Sequence, residues 1–499
     1  MNIKSFAKDT AIYGLSSIVG RFLNYLLVPL HTWKIVAERG GYGIVSNLYA
    51  YTALFLALLT FGMETTLFRF ASKSDVDEKM VYSNALRMVV AVSALFVVVV
   101  LSFLTPISNF MGYSDHPEYV VCFVLITALD AVQAIMFSRL RQQHRPARFV
   151  MLKFAYIIPS ILLNCFIFLA MDKIQCLNGI FVRFNYGVGL IFFANLLCSF
   201  FVTILFIPEF KGILYGFNKE LAKKMLRYSL PLLVLGLLGI LNQVADKIMF
   251  PYLMPENTAM TQLGIYGACS KIAMIMALLT QAFRYAYEPI VFEDCGSNNI
   301  SKTLSAGMKY FIAFSLLAFL SVIMYMPILK YLVGKSYWEG LGVIPLIMIA
   351  EIFMGIYFNL SFWYKITDQT WWGAIVSFIG AAVMIGTNVV LVPKMGYWGC
   401  AWGGVAGYGT CMLLNFVLSS KKYPIQYDIG SILICIFTAI AIYCASLLPK
   451  VLDLNLSVWI ILLYNTVLIC AYILVVGYKF EIHKAISIYR GNRVADISL

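Results

Sequence analysis

Two arginines stand inside apolar stretches: Arg21 in I-V-G-R-F-L-N-Y and Arg284 in Q-A-F-R-Y-A-Y-E-P. A guanidinium is a planar fork of donors that matches phosphate oxygens two at a time. Two such groups facing a hydrated cavity would suit an anionic substrate such as a diphosphate. Further polar groups sit in similar surroundings: the cations Arg87, Lys247 and Lys271, the amide Asn24, and the acids Glu64, Asp130, Asp246, Glu288 and Glu351. A charge at mid-bilayer costs roughly 2.5–3.5 kcal/mol on insertion scales, so each of these should face a cavity or a partner. Asp246 and Lys271 fall at equal depth on consecutive spans and could form an ion pair. Glu64 and Arg87 have the same relation, and Arg284 and Glu288 are four residues apart on one helix face. At about 1.5 Å per residue, Arg21 and Asp130 lie near the midplane, with Arg284 and Glu64 in the cytoplasmic half. Arg21 has no acid in its own span; it either lines a polar cavity or pairs with Asp130 or Glu64.

The elements that carry these groups follow from composition. Of 499 residues, 61% are hydrophobic and 12% charged, and the mean hydropathy is +0.84. Soluble domains carry about twice that share of charge. A membrane helix needs roughly 20 apolar residues, and fourteen such stretches are visible: 9–32, 42–68, 82–106, 118–138, 149–170, 185–208, 229–252, 263–291, 304–327, 341–364, 371–392, 397–419, 429–449 and 456–478. They must be helices, because an open strand edge in lipid leaves backbone groups unpaired. A nucleic-acid-binding module and a disulfide scaffold are excluded. The eleven cysteines and four histidines are scattered, with no Cys-x-x-Cys and no metal-ligand spacing, so packing cysteines and no metal site are expected. Connections are short, which leaves no room for a soluble catalytic domain.

Cationic loops set the orientation. With the N-terminus in the cytoplasm, twenty-four Lys and Arg fall on cytoplasmic segments and eight on outer loops. Both termini are therefore expected inside, and the net charge of +13 is mostly a topology signal.

Two stretches echo each other. Tyr42-Gly43 and Tyr266-Gly267 are offset by 224 residues, and the two A-L-L-T runs by 220, a difference of about one helical turn. On the second offset Glu64 corresponds to Arg284. Spans 4 and 10 each hold a central acid followed by a basic exit, Asp130 then Arg141 and Glu351 then Lys365. The reading is two six-helix lobes, 1–222 and 223–422, related by an axis along the membrane normal, with spans 13–14 and a tail over 423–499.

The segments A-K-D-T-A-I-Y-G-L-S-S-I-V-G-R-F-L-N-Y-L-L-V-P-L at 7–30, R-Y-S-L-P-L-L at 227–233, L-G-I-Y-G at 263–267, A-F-R-Y-A-Y-E-P at 282–289 and N-L-S-F-W-Y-K at 359–365 carry a family likeness. The sequence resembles the Wzx-type oligosaccharide-lipid flippases, polysaccharide biosynthesis proteins of the multidrug/oligosaccharidyl-lipid/polysaccharide exporter superfamily. The resemblance implies an all-α, MATE-like membrane fold of fourteen helices, two lobes in a V plus two C-terminal helices. It implies a transporter, not an enzyme. That transporter would flip an undecaprenyl-diphosphate-linked oligosaccharide across the bacterial inner membrane by alternating access, for O-antigen, capsule or exopolysaccharide synthesis. On this analogy Arg21 and Arg284, with Arg87 and Lys271, would be the cavity cations. Asn24, Glu64, Asp130, Asp246, Glu288 and Glu351 would be the polar or ion-coupling positions. No cofactor is implied beyond Na+ or H+ as a coupling ion. The implied partners are the lipid-linked substrate, membrane lipid and a polysaccharide polymerase/chain-length complex, with no nucleic acid. The competing reading is a cation-coupled multidrug or small-molecule exporter of the same fold.

Overall fold

The computed structural model describes residues 19–20, 22–72, 77–171, 173–293, 300–453 and 457–480. Among the described residues the regular elements are all helical and no strand occurs, as a hydrocarbon surround without backbone partners demands. Among the described residues thirteen helices are long and apolar enough to cross a bilayer. They begin with Gly41–Ala71, Glu78–Ser102, Pro117–Gln142, Pro146–Met171, Val188–Leu205, Lys219–Leu253 and Glu256–Val291. Ile300–Met324, Lys335–Ile366, Trp371–Met395, Tyr397–Lys422, Ile429–Val451 and Val458–Lys479 complete the set. Each overlaps one of the expected spans 2 to 14, whose numbers are kept here. The first part of span 1 falls outside the described residues, and its end forms the helix Leu27–Lys34. The chain is a multi-pass membrane protein with an all-helical architecture.

Local chemistry sets the helix ends. Asp77, Asn218 and Asp428 each accept a hydrogen bond from a backbone N–H in the first turn of the helix that follows, satisfying donors that the turn itself leaves open. Asp428 lies just outside span 13, and the bonds from Ser431 hold its carboxyl below the usual carboxylate range. Burial then separates core helices from lipid-facing ones. The apolar window of span 4 is 67% buried and that of span 8 is 61%, against 22% in spans 13 and 14. The outward faces of the last pair present Phe437, Leu463 and Leu474, side chains that a bilayer can cover.

By contact the chain falls into two compact units. The first holds the described residues up to Ala268 with Val333–Glu339 and Ile385–Cys400; the second holds Cys269–Leu332, Gly340–Met384 and the described residues from Ala401 onward. This division differs from the lobe boundaries at 222 and 422. The reason lies in the first unit. One of its apolar cores, around Leu48, Val120, Val124, Phe168 and Ile191, also takes up Ile248 of span 7 and Met260 of span 8. At Gly43 the approach is so close that a Cβ would run into the Met260 carbonyl oxygen. Nearby, the Asn47 amide donates to the Lys247 carbonyl at 2.8 Å, and the Tyr337 hydroxyl donates to the Ile35 carbonyl at 2.6 Å. All these segments lie at span ends that the cationic-loop count assigns to the outer side. The second unit is organised around span 9. Phe311 and Ile312 pack with Leu360, while spans 13 and 14 dock through Asn465, whose amide donates to the Met324 carbonyl at 2.7 Å.

Two span geometries position the charged groups. Span 2 breaks at Phe61 and Gly62, which adopt the left-handed φ values 33° and 73°. Glu64 thereby enters the first turn of the following helix, Met63–Ala71, where the helix dipole favours an acid. The helix of span 8 instead runs unbroken over Glu256–Glu293, so Arg284 and Glu288 share one continuous face.

Candidate functional site

In the second unit, Arg284, Glu288 and Lys365 meet at one crevice. Arg284 Nε lies 3.5 Å from one Glu288 oxygen and Lys365 Nζ lies 3.2 Å from the other. Aromatic faces fix both cations. The Arg284 guanidinium lies over the Phe358 ring at 5.0 Å and the Lys365 ammonium over Phe362 at 4.8 Å, within cation–π range. Phe358, Phe362 and Lys365 share a face because span 10 returns them at helical spacing. Thr280, Phe283, Tyr287, Phe311, Gly355 and Asn359 complete a narrow crevice with about 10 Å³ of free space. The Thr280 hydroxyl and the Asn359 side-chain oxygen are buried in its wall with no hydrogen-bond partner among the described residues.

One carboxylate therefore serves two cations. Arg284 spends one nitrogen on Glu288 at long range, which leaves both terminal nitrogens of its fork without a protein acceptor among the described residues. Such a site carries a surplus positive charge with donors to spare. Its chemistry fits an anion with several oxygens, held by charge-assisted hydrogen bonds.

The matching region of the first unit is differently balanced. Arg141 donates to Glu64 at 3.1 Å and to the Ser138 hydroxyl at 3.0 Å, and Ser138 donates to Glu64 at 3.2 Å. Glu64 and Arg141 precede Glu288 and Lys365 by 224 residues each, the spacing of Tyr42 and Tyr266. The acid–base pairs thus align Glu64 with Glu288, one turn beyond the Arg284 counterpart suggested by the A-L-L-T runs.

The other candidates are dispersed. Arg21 lies outside the described residues. Asn24 is exposed in the helical stretch before Leu27. Arg87 does not pair with Glu64: its fork clasps the Ile213 carbonyl through Nε at 3.1 Å and a terminal nitrogen at 2.6 Å, tying span 3 to the turn before span 7. Asp130 accepts from the Ser199 hydroxyl at 2.7 Å within a cluster that includes Gln133 and Thr203. Asp246 accepts from the Tyr266 hydroxyl at 2.7 Å and pairs with Lys247 at 3.3 Å. Lys271 and Glu351 are half-buried in spans 8 and 10. Sequence reasoning had not placed Lys365, Thr280 or Asn359 in the site. The available signal for Lys365 was its common spacing with Arg141.

The comparisons with known proteins bear on this arrangement. A family model described as polysaccharide biosynthesis protein matches residues 6–291. The chain belongs to that family. A comparison with curated proteins finds no match. Among solved structures the chain is similar to "Lipid II flippase MurJ, inward closed conformation", with TM-score 0.69 and 16% identity over 93% of this chain and 98% of that one. It is also similar to an inward-facing multidrug resistance MATE family transporter of the MOP superfamily, with TM-score 0.64 and 14% identity over 80% of this chain and 94% of that one. A third likeness is the MATE transporter DinF-BH, with TM-score 0.58 and 15% identity over 84% and 96%. At these identities the likeness establishes a MATE-like fold.

Proposed function

We propose that this family member is a transporter that flips an undecaprenyl-diphosphate-linked oligosaccharide from the cytoplasmic to the periplasmic leaflet of the bacterial inner membrane by alternating access. The product would feed O-antigen, capsule or exopolysaccharide assembly. The observation that carries the reading is the surplus cation at Arg284, with unspent donors beside a carboxylate shared with Lys365. An organic-cation exporter would place an excess of acid there. The family match supports the polysaccharide context, and a solved structure of similar fold is titled a lipid II flippase. In this reading both termini are cytoplasmic, so Arg284, Glu288 and Lys365 lie toward the inner ends of spans 8 and 10. Asp130 and Glu351 remain the proposed coupling acids.

The test is reconstitution of the full chain in liposomes with a fluorescent undecaprenyl-diphosphate sugar. The reading expects the labelled head group to reach the opposite leaflet faster than in protein-free vesicles. Export of organic cations with no movement of the lipid would contradict it.

A further inference from the structure

We propose that Arg284 and Lys365 form a two-cation clamp for a lipid diphosphate, and that Glu288 is a resident counter-ion which the diphosphate displaces on binding. This deepens the flippase reading and rests on it.

Three observations converge. First, Glu288 bridges the two cations through different oxygens, at 3.5 and 3.2 Å, so both cations stand within reach of one small anionic group. A diphosphate carries more charge and more acceptor oxygens than a carboxylate and can engage the fork of Arg284 and the ammonium of Lys365 together. Second, the side chains remain partly open, Arg284 at 45% and Glu288 and Lys365 at 28% and 27%, so an anion can reach them. Third, the crevice wall holds the buried Thr280 hydroxyl and Asn359 oxygen without partners among the described residues. Buried polar atoms are ordinarily paired; the Thr280 hydroxyl can donate to a phosphate oxygen, and the Asn359 oxygen can accept only from a donor such as a sugar hydroxyl.

The exchange also supplies a release step. While diphosphate occupies the cations, Glu288 loses both partners and stands beside an anion. Its return to Arg284 and Lys365 then competes with the bound head group. No bond is made or broken in this exchange.

The test compares wild type, Glu288→Gln, Lys365→Gln and Lys365→Arg as full chains in detergent. Affinity is measured for undecaprenyl diphosphate, undecaprenyl monophosphate and inorganic pyrophosphate, and flipping is measured in liposomes. Removing the competing carboxylate should tighten undecaprenyl diphosphate by about tenfold, the scale of one charge-assisted contact, and slow flipping. Lys365→Gln should weaken the diphosphate lipid by about tenfold and the monophosphate lipid less, while Lys365→Arg stays near wild type. A Glu288→Gln protein that is monodisperse and binds no tighter overturns the displacement. Equal losses for both lipids in Lys365→Gln overturn the clamp, and a pyrophosphate affinity equal to that of the lipid overturns its assignment to a lipid head group. If Glu288→Gln is not monodisperse, the Lys365 variants still decide the clamp. Wild type that neither binds nor flips any of these lipids would instead sink the flippase reading itself.

Discussion

The two sequence repeats place the same acid–base pair at the same spacing and then use it differently. In the first, Glu64 is shared between Arg141 and the buried hydroxyl of Ser138, so charges cancel. In the second, Glu288 is shared between Lys365 and Arg284, and one positive charge is left over. The adjacent threonines follow suit. Thr60 donates to its own helix at the Leu56 carbonyl, whereas the Thr280 hydroxyl has no partner among the described residues. The first arrangement is charge-neutral, although the buried Nε of Arg141 lacks a partner among the described residues; the second carries a spare positive charge and suits an anionic ligand.

Arg284→Ala gives the second repeat the neutral balance of the first, and it carries the largest expected effect. Surface polysaccharide should fall at least about tenfold, the scale of one lost charge-assisted contact, while the amount of membrane-inserted protein is unchanged. Normal polymer from this variant would erase the distinction between the repeats. Next comes a control lying outside both pairs. Asp246→Ala strips the Tyr266 hydroxyl and Lys247 of their acceptor and should cost about 1–3 kcal/mol of stability, read as less folded protein in a thermal-shift series. Transport per folded molecule should hold; a loss there at normal protein level would move Asp246 into the mechanism. Arg141→Ala sharpens the comparison from the other side. Its pair with Glu64 is more than a third exposed on both partners, so the expected cost is below about 1 kcal/mol and flipping should stay within twofold of wild type, where Lys365→Ala would reduce it several-fold. The smallest effect is expected for Glu64→Gln, which keeps an acceptor for Ser138 and Arg141 and should shift the unfolding midpoint by little more than the error of the measurement.

Spans 2 to 14 were legible because lipid permits one solution for the backbone, and run length alone reveals it. The charged groups were less so. Counting depth along a helix says nothing of the direction in which a side chain leaves it, which is why Glu64 and Arg87 looked like partners. The structure sends Arg87 to the Ile213 carbonyl instead. The A-L-L-T offset matched Glu64 to Arg284. The left-handed break at Phe61–Gly62 has no equivalent in the continuous helix of span 8, and this shifts the local register between the copies. Lys365 read as one more cation at a span exit. Only the fold showed that Glu288, one turn after Arg284, brings it into the same crevice. The i, i+4 relation of Arg284 and Glu288 was visible from spacing, and it holds at 3.5 Å.

The most direct test sets the two repeats against each other in one assay. Flipping of a fluorescent undecaprenyl-diphosphate sugar would be timed in liposomes holding wild type, Arg284→Ala or Arg141→Ala at equal protein density. Near-wild-type rates are expected for Arg141→Ala and a collapse for Arg284→Ala. Equal rates in both variants, or a collapse confined to Arg141→Ala, would contradict this expectation.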